Sequence, residues 1–397
     1  MRFLVFIPSS RGGIAISACE QCYELARRGH EVIVLTNRDL EIEPVQNLRI
    51  LRLLHLMPKG LRGRMARGST LLALTLVNQL ILTGVTLWTR VDVVLFDCIS
   101  ELLAPLWAGP HWAISRMLGV RYALIVHDPE RTKLLGPHWW HELSIRAAYA
   151  PFSVALVHGA DRLKPGLIPE HVLVRDAPLG VFAVRGREEA CGRALREELG
   201  IPVCACVALA FGCISDRKNL DVVIGAVARV HGLHLVVAGE QVSARDRPVA
   251  FYERLACDLG VADRVHFVSR FIPEERIGAF FDAADIIVLA YGAGYVSQSG
   301  VLHVAANWDK PVAASAGPGP LLDTVERFDL GLIVEPGSRE ALAEALERLM
   351  SSGHPREGWA RFRAAASWHV NVDRLLDALE EASARGYARA RQSYSGG

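Results

Sequence analysis

Two series of short apolar runs, each alternating with helical patterns, constrain this chain more than any other feature. The first series places β-rich runs at 3–7, 32–36, 50–54, 91–96, 122–126 and 154–157, separated by helical patterns such as 15–28 and 103–118. The second places them at 205–211, 233–238, 265–268, 286–290, 311–314 and 331–334, with helical patterns at 219–230, 273–283 and 338–350 between them. Such alternation is the signature of a parallel sheet wrapped by helices. A chain of 397 residues is also too long for one comfortable core. The expected fold is α/β: two Rossmann-like doubly wound parallel-sheet domains facing across a cleft where a ligand binds. The stretch 175–187, with Pro178, Gly180 and Gly186, interrupts the pattern and reads as an interdomain link. The expected division is 1–178, 179–368, and a terminal helix 369–397 that either caps the chain or crosses back to the first domain.

Composition narrows the function. A formal net charge of +1 argues against a nucleic-acid partner, which calls for a basic excess or stripe. The balance is uneven, because residues 1–180 hold 20 Lys and Arg against 15 Asp and Glu, so the first half can face an anionic surface or acceptor. Eight cysteines, at 19, 22, 98, 191, 204, 206, 213 and 257, lie mostly within apolar patterns and read as reduced core residues. Cys19 and Cys22 have no second pair at zinc-finger spacing, so no metal site is expected from them. Residues 1–7 run straight into a Ser/Gly-rich turn and read as a first strand rather than a signal peptide, which makes the expected location cytoplasmic.

The chemistry concentrates in Phe211-Gly-Cys-Ile-Ser-Asp-Arg-Lys-Asn-Leu220 and Ser297-Gln-Ser-Gly-Val301. Each lies where an apolar strand runs into a helix, so backbone N–H groups can face an anion, and Arg217 and Lys218 add two cations. Cations at a helix N-terminus oppose the macrodipole unless an anion is bound there, which favours a diphosphate site over an exposed surface pair. The expected ligand is a nucleotide or nucleotide sugar. Gly12-Gly13, after the first strand, suits close backbone approach, although a tight turn would also use it. His127-Asp128 follows a strand, where α/β folds place ligands; a buried or capping histidine is the plainer reading.

With these residues in view, the chain resembles a retaining GT-B glycosyltransferase of family 4 over nearly its whole length. Ser10-Arg-Gly-Gly13 and Leu25-Ala-Arg-Arg-Gly-His-Glu-Val32 are similar to the family's glycine loop and its A-x-x-G-H-x-V helix end. His127 resembles the family's histidine at the top of the fifth strand, and Gly212 to Lys218 its G-x-x-x-x-K-G donor loop. Residues 267–289 and Lys310-Pro-Val-Ala-Ala-Ser315 match two further family segments. The resemblance implies transfer of a sugar from a nucleotide diphosphate donor to a polysaccharide, lipid-linked or other glycan acceptor, with no cofactor and no metal. It implies catalytic roles for His127, Lys218 and Arg217, and donor binding by Gly12, Gly13, Gly212, Gly239, Tyr295, Ser297, Gln298, Ser299, Gly300 and Val301. Asp128 is the acceptor-binding candidate.

Two departures stand out. The family's paired glutamates fall on Val296 and Val304 here, although a sub-branch reading S-x-S-G-V-L, as Ser297 to Leu302 does, lacks them too. Cys213 occupies the place of the usual donor-loop arginine. A non-catalytic nucleotide-sugar-binding subunit of the same fold stays open, and so does a nucleotide-sugar 2-epimerase. Finally, Lys59, Arg62, Arg64 and Arg67 precede an apolar stretch at 71–88. This is either a basic loop before a buried helix or a peripheral contact with an anionic membrane on its cytoplasmic face.

Overall fold

The structure, a computed structural model, describes residues 1–395 apart from 59, 61, 62, 102, 128–136, 160–162, 164, 165, 167, 185–190, 242 and 353–356, and apart from the side chains of 64, 352 and 386–395. Thirteen strands and thirteen helices are described. The strands are β1 (Arg2–Ile7), β2 (Glu31–Asn37), β3 (Leu48–Leu54), β4 (Val93–Phe96), β5 (Arg121–Val126), β6 (Val154–Val157), β7 (Leu173–Asp176), β8 (Cys206–Phe211), β9 (Leu233–Ala238), β10 (Val265–Val268), β11 (Ile286–Ala290), β12 (Val312–Ser315) and β13 (Gly331–Ile333). The helices are α1 (Gly13–Arg27), α2 (Arg64–Thr89), α3 (Ala104–Leu118), α4 (His138–Tyr149), α5 (Cys191–Glu198), α6 (Leu220–Val227), α7 (Val249–Asp258), α8 (Glu274–Ala283), α9 (Gly300–Ala305), α10 (Pro320–Phe328), α11 (Arg339–Ser352), α12 (Glu357–Ala365) and α13 (Trp368–Ser395).

The strands form two sheets, of order β3-β2-β1-β4-β5-β6-β7 and β10-β9-β8-β11-β12-β13, and the pairings within both are parallel. The contacts divide the chain into one unit of Met1–Gly180 with Ser367–Gly397 and a second of Val181–Ala366. In each sheet the order reverses once, between β1 and β4 in the first and between β8 and β11 in the second. Such switch points open a crevice at the carboxyl ends of the two strands.

In the first unit, alternate residues of each strand point to opposite faces. Phe3, Val5 and Ile7 pack with Ala15, Cys22 and Leu25 of α1 and with Val372, Leu375 and Leu379 of α13. Leu4 and Phe6 pack with Leu82 and Val85 of α2 and Ile114 of α3. The terminal helix α13 thus belongs to the first sheet's core. Its seating is polar as well: Gln21 Nε2 donates to Asn371 Oδ1 at 2.7 Å, and Asn371 Nδ2 donates to the Pro178 carbonyl at 2.8 Å. The second sheet is covered in the same way, by α6, α7 and α11 on one face and by α5, α8, α9, α10 and α12 on the other.

Three expectations need correction. Strand β7 was not anticipated, and its last two residues fall in the stretch read as a link; with Arg175 and Asp176 in only four residues, its apolar signal is weak. Of the eight cysteines only Cys19 and Cys22 are buried, because the others sit in loops and turns, at a strand end or on helices, and Cys204, Cys213 and Cys257 are exposed. Helix α2 is not a buried helix. Among the described residues it is long and apolar enough to cross a membrane, yet only 22 % of that apolar window is buried.

Candidate functional site

The second unit's switch point carries the residues expected to bind the donor. Strand β8 ends at Phe211, and Gly212 turns the chain with φ of +93°, a conformation that an L side chain resists. Space is short there too. A Cβ on Gly212 would lie 3.1 Å from Lys218 Nζ and 3.6 Å from Val301 Cγ2. Gly239, after β9, has φ of +150°, and a Cβ on it would lie 2.1 Å from the Gly212 carbonyl oxygen, so both glycines are required for the two loops to touch.

Arg217 and Lys218 do not occupy the first turn of a helix. They lie in a short 3-10 turn, Asp216–Lys218, and Asn219 in the left-handed region separates them from α6. The turn is anchored by Asp216, whose Oδ1 accepts from Arg247 Nε at 2.9 Å, the Arg247 backbone N–H at 3.2 Å and Tyr252 OH at 3.0 Å. Arg247 reaches on to Asp221 at 3.2 Å. The hydrogen bond from Arg247 holds the Asp216 carboxyl below its ordinary range. A second tie joins the turn to the other side of the switch point, where the Gly292 N–H donates to the Arg217 carbonyl at 3.3 Å.

Lys218 is the electrostatic centre of this loop. Its ammonium donates to the Phe211 carbonyl, and among the described residues no carboxylate lies within ion-pair distance. Desolvation lowers its pKa to about 8, and the neighbouring Arg217 charge adds to the effect. Beside it the Ser215 hydroxyl is buried and makes no hydrogen bond. A cation without a counter-ion and an orphaned hydroxyl suit an incoming anion, because each is left short of interactions until one arrives.

The loop 291–299 completes the wall. Tyr291 and Tyr295 stack with ring centroids 4.0 Å apart, Tyr291 OH lies 3.0 Å from Ser299 Oγ, and Tyr295 OH donates to the Gln298 carbonyl. The loop is seated by Gly317 and Gly319. A Cβ on Gly317 would lie 2.1 Å from the Ala293 carbonyl oxygen, and one on Gly319 would lie 2.9 Å from that of Val296. Ser299 caps α9 through its backbone only, leaving Gly300 and Val301 at the start of the helix. That helix has six residues, so its dipole adds little and the cations dominate. Val304, where a glutamate was sought, instead packs against the core.

The first unit holds the remaining candidates. Gly12, with φ of +89°, precedes α1, and Gly13 opens it; neither has an atom within 4 Å of where a Cβ would stand. His127 directly follows β5, with Nε2 3.1 Å from Oδ1 of Asp97, which directly follows β4. Asp97 is 2 % exposed. Burial raises its pKa and the His127 contact opposes that shift. Asp128, Lys59 and Arg62 lie outside the described residues, as does the side chain of Arg64, while Arg67 is exposed at the start of α2.

The sequence reading missed Asp97, Asp216, Arg247, Tyr252, Gly317 and Gly319. Two signals were available: a carboxylate closing the apolar run Val93-Val-Leu-Phe-Asp97, and the Gly-x-Gly directly after β12. The Asp216 to Arg247 contact spans 31 residues and has no local signature.

The buried ammonium predicts a stability signature. Below pH 8 the folded chain bears the full cost of the desolvated charge. From pH 8 to the ordinary lysine value of 10.5 the unfolded chain holds a proton that the folded one has released, so stability rises with pH across that window. Lys218→Met is expected to be more stable than the parent at pH 7, by a margin that narrows towards pH 10.5. Urea unfolding at both pH values checks this; a variant less stable than the parent at pH 7 would contradict the desolvated lysine.

Known proteins resemble this chain in sequence and in fold. Residues 205–352 match the family model Glycosyl transferases group 1. The D-inositol 3-phosphate glycosyltransferase of Mycobacteroides abscessus is 31 % identical over 209 residues, which cover 50 % of this chain and 45 % of that one. The one from Acidothermus cellulolyticus is 26 % identical over 230 residues, 55 % of this chain and 50 % of that protein. The chain thus spans about half the length of the curated relatives it matches. Among solved structures, the sucrose-phosphate synthase of Thermosynechococcus elongatus aligns with a TM-score of 0.69 at 19 % identity over 100 % of both chains. Anabaena Alr3699/HepE in complex with UDP aligns at 0.68 and 16 %, over 97 % of this chain and 100 % of that one. The chain therefore has the GT-B fold, and its second unit carries the group 1 glycosyltransferase match over residues 205–352.

Proposed function

We propose that this chain is a retaining, metal-independent glycosyltransferase of the family 4 type, moving a hexose from a nucleoside diphosphate sugar to a hydroxyl of a glycan or lipid-linked acceptor. The observation that carries the reading is the Lys218 ammonium, held at the switch point by a backbone carbonyl alone among the described residues. The HepE structures with UDP and with UDP-glucose make UDP-glucose the first donor to test, and the relatives named for D-inositol 3-phosphate make a phosphorylated polyol a reasonable acceptor class.

Transfer builds positive charge on the anomeric carbon and negative charge on the departing diphosphate. Lys218 leaves the Phe211 carbonyl to meet that diphosphate, Arg217 supplies a second cation from the same turn, and Ser215 donates its free hydroxyl. The leaving phosphate itself takes the proton of the attacking hydroxyl, and retention follows from attack on the face it leaves. Lys218→Ala is expected to lower transfer from UDP-glucose roughly 10²–10³-fold, about 3–4 kcal/mol, without unfolding the chain. The test is sugar transfer or donor hydrolysis by parent and variant. Equal rates would remove Lys218 from the reaction, and UDP binding without turnover on any acceptor would favour a non-catalytic subunit.

The first unit supports work at a membrane surface. On α2, Met65, Leu72, Leu80 and Leu87 recur every seven or eight residues, share one face and are exposed. Trp112, Met117 and Leu118 of α3, which packs against α2, are exposed as well. Neither helix contains an acid, whereas Arg64, Arg67 and Arg116 lie on them and Arg90 follows α2. An apolar face on two helices whose charged residues are all cations fits the surface of an anionic bilayer, with the helix lying in its plane. Flotation with vesicles containing phosphatidylglycerol is expected to carry the protein, and Leu72→Glu with Leu80→Glu to release it. Equal binding of parent and variant would contradict this contact.

A further inference from the structure

The turn that carries Lys218 is shaped by a second loop, which the proposed donor chemistry does not use. After β9 the chain runs beside the segment that follows β8. The Ile214 N–H donates to the Glu240 carbonyl at 3.0 Å, and Ile214 and Gln241 form a parallel bridge. Gln241 shapes its own loop, with Nε2 donating to the Ser243 and Asp246 carbonyls at 3.2 Å and Oε1 accepting from the Val249 N–H at 3.3 Å. That loop presents Arg247. Its guanidinium donates to Asp216 in the turn and to Asp221 in the first turn of α6, and it lies 5.0 Å from the Phe251 ring centroid and 5.3 Å from that of Tyr252.

The two acids stand on either side of a break in the chain. Between them Asn219 takes a left-handed conformation, with φ of +43°, which ends the 3-10 turn before α6 begins. Lys218 directly precedes it. Arg247 therefore staples the chain across the break, and the staple sets the direction in which the Lys218 side chain leaves the backbone. With the staple gone, the turn can swing and the ammonium can reach water, where its charge is better solvated. The groups whose charges reach Lys218 are Arg217 and the Cys213 thiol. Arg247 is poorly suited to bind a diphosphate itself, because two carboxylates already face its single charge and two aromatic rings flank it.

We propose that Arg247 is a positioning residue: acting through Asp216 and Asp221, it holds the Lys218 ammonium at the second unit's switch point, where an anion can meet it. Its part in donor binding rests on the transferase reading, but the positioning itself is tested without turnover.

The experiment follows lysine Cε by carbon-13 NMR in the full-length chain as the pH is raised through the lysine range. Only five lysines are present, and Lys218→Met identifies the Lys218 signal. In the parent this signal is expected to titrate at about 8. Asp216→Ala removes both the acceptor and a negative charge. Loss of the charge alone would lower the Lys218 pKa further, whereas release of the turn raises it towards the ordinary 10.5, which is the expected result. Arg247→Met is expected to raise it as well, and Tyr252→Phe, which deletes one hydrogen bond to Asp216 and no charge, to raise it part of the way. Asp216→Asn keeps an acceptor oxygen and is expected to leave Lys218 titrating at about 8. A Lys218 that stays at about 8 in Asp216→Ala or, should that chain misfold, in Tyr252→Phe overturns the proposal, as does a parent Lys218 that titrates near 10.5. UDP titrated into the same samples is expected to bind Asp216→Ala roughly ten- to hundredfold more weakly than the parent. A parent that binds no UDP, with the lysine titrations as expected, would instead remove the transferase reading and leave the positioning standing.

Discussion

A lysine ammonium facing a carbonyl rather than a carboxylate is the interaction on which the second unit's architecture turns. Gly212 has to be glycine because its φ is positive and Lys218 Nζ fills the space beside it. Gly239 has to be glycine because the Gly212 carbonyl crosses so closely. Asp216, Arg247 and Tyr252 fix the 3-10 turn from which the cation extends, and Gly292 ties that turn across the switch point. Desolvation holds the Lys218 pKa down to about 8, so the charged ammonium is disfavoured in the folded chain near neutrality. Such a cost is characteristic of a site kept ready for an anion.

The two units apply one topological rule to different chemistry. At the second unit's switch point the unsatisfied groups are a cation and a hydroxyl, which suit a diphosphate. In the first unit Asp97 Oδ2, His158 Nε2 and the Ser9 hydroxyl, each past the end of a strand, are buried without partners. The exposed apolar face of α2 and α3 gives the first unit a further property that its sheet does not need.

Much of this fold was legible because buried parallel strands are continuous apolar runs. The runs at 154–157, 233–238 and 286–290 coincide with strands to the residue. Strand β7 was hidden because only Leu173 of its four residues is buried and its end is charged. Helix α2 was visible as a helix, but periodicity cannot tell which neighbours cover a face, so its exposure appeared only in three dimensions. The loop from Gly212 to Lys218 was readable because glycine and lysine at fixed spacing carry a mechanism. Asp97 and His158 were not, because their significance lies in atoms left without partners, and partners are a property of the folded chain.

A crystal structure of the protein with UDP tests the central claim most directly. The account predicts diphosphate oxygens within hydrogen-bond distance of Lys218 Nζ and Ser215 Oγ, with the ammonium withdrawn from the Phe211 carbonyl. A diphosphate bound elsewhere, or a Lys218 still seated on Phe211 with the nucleotide in place, would contradict it.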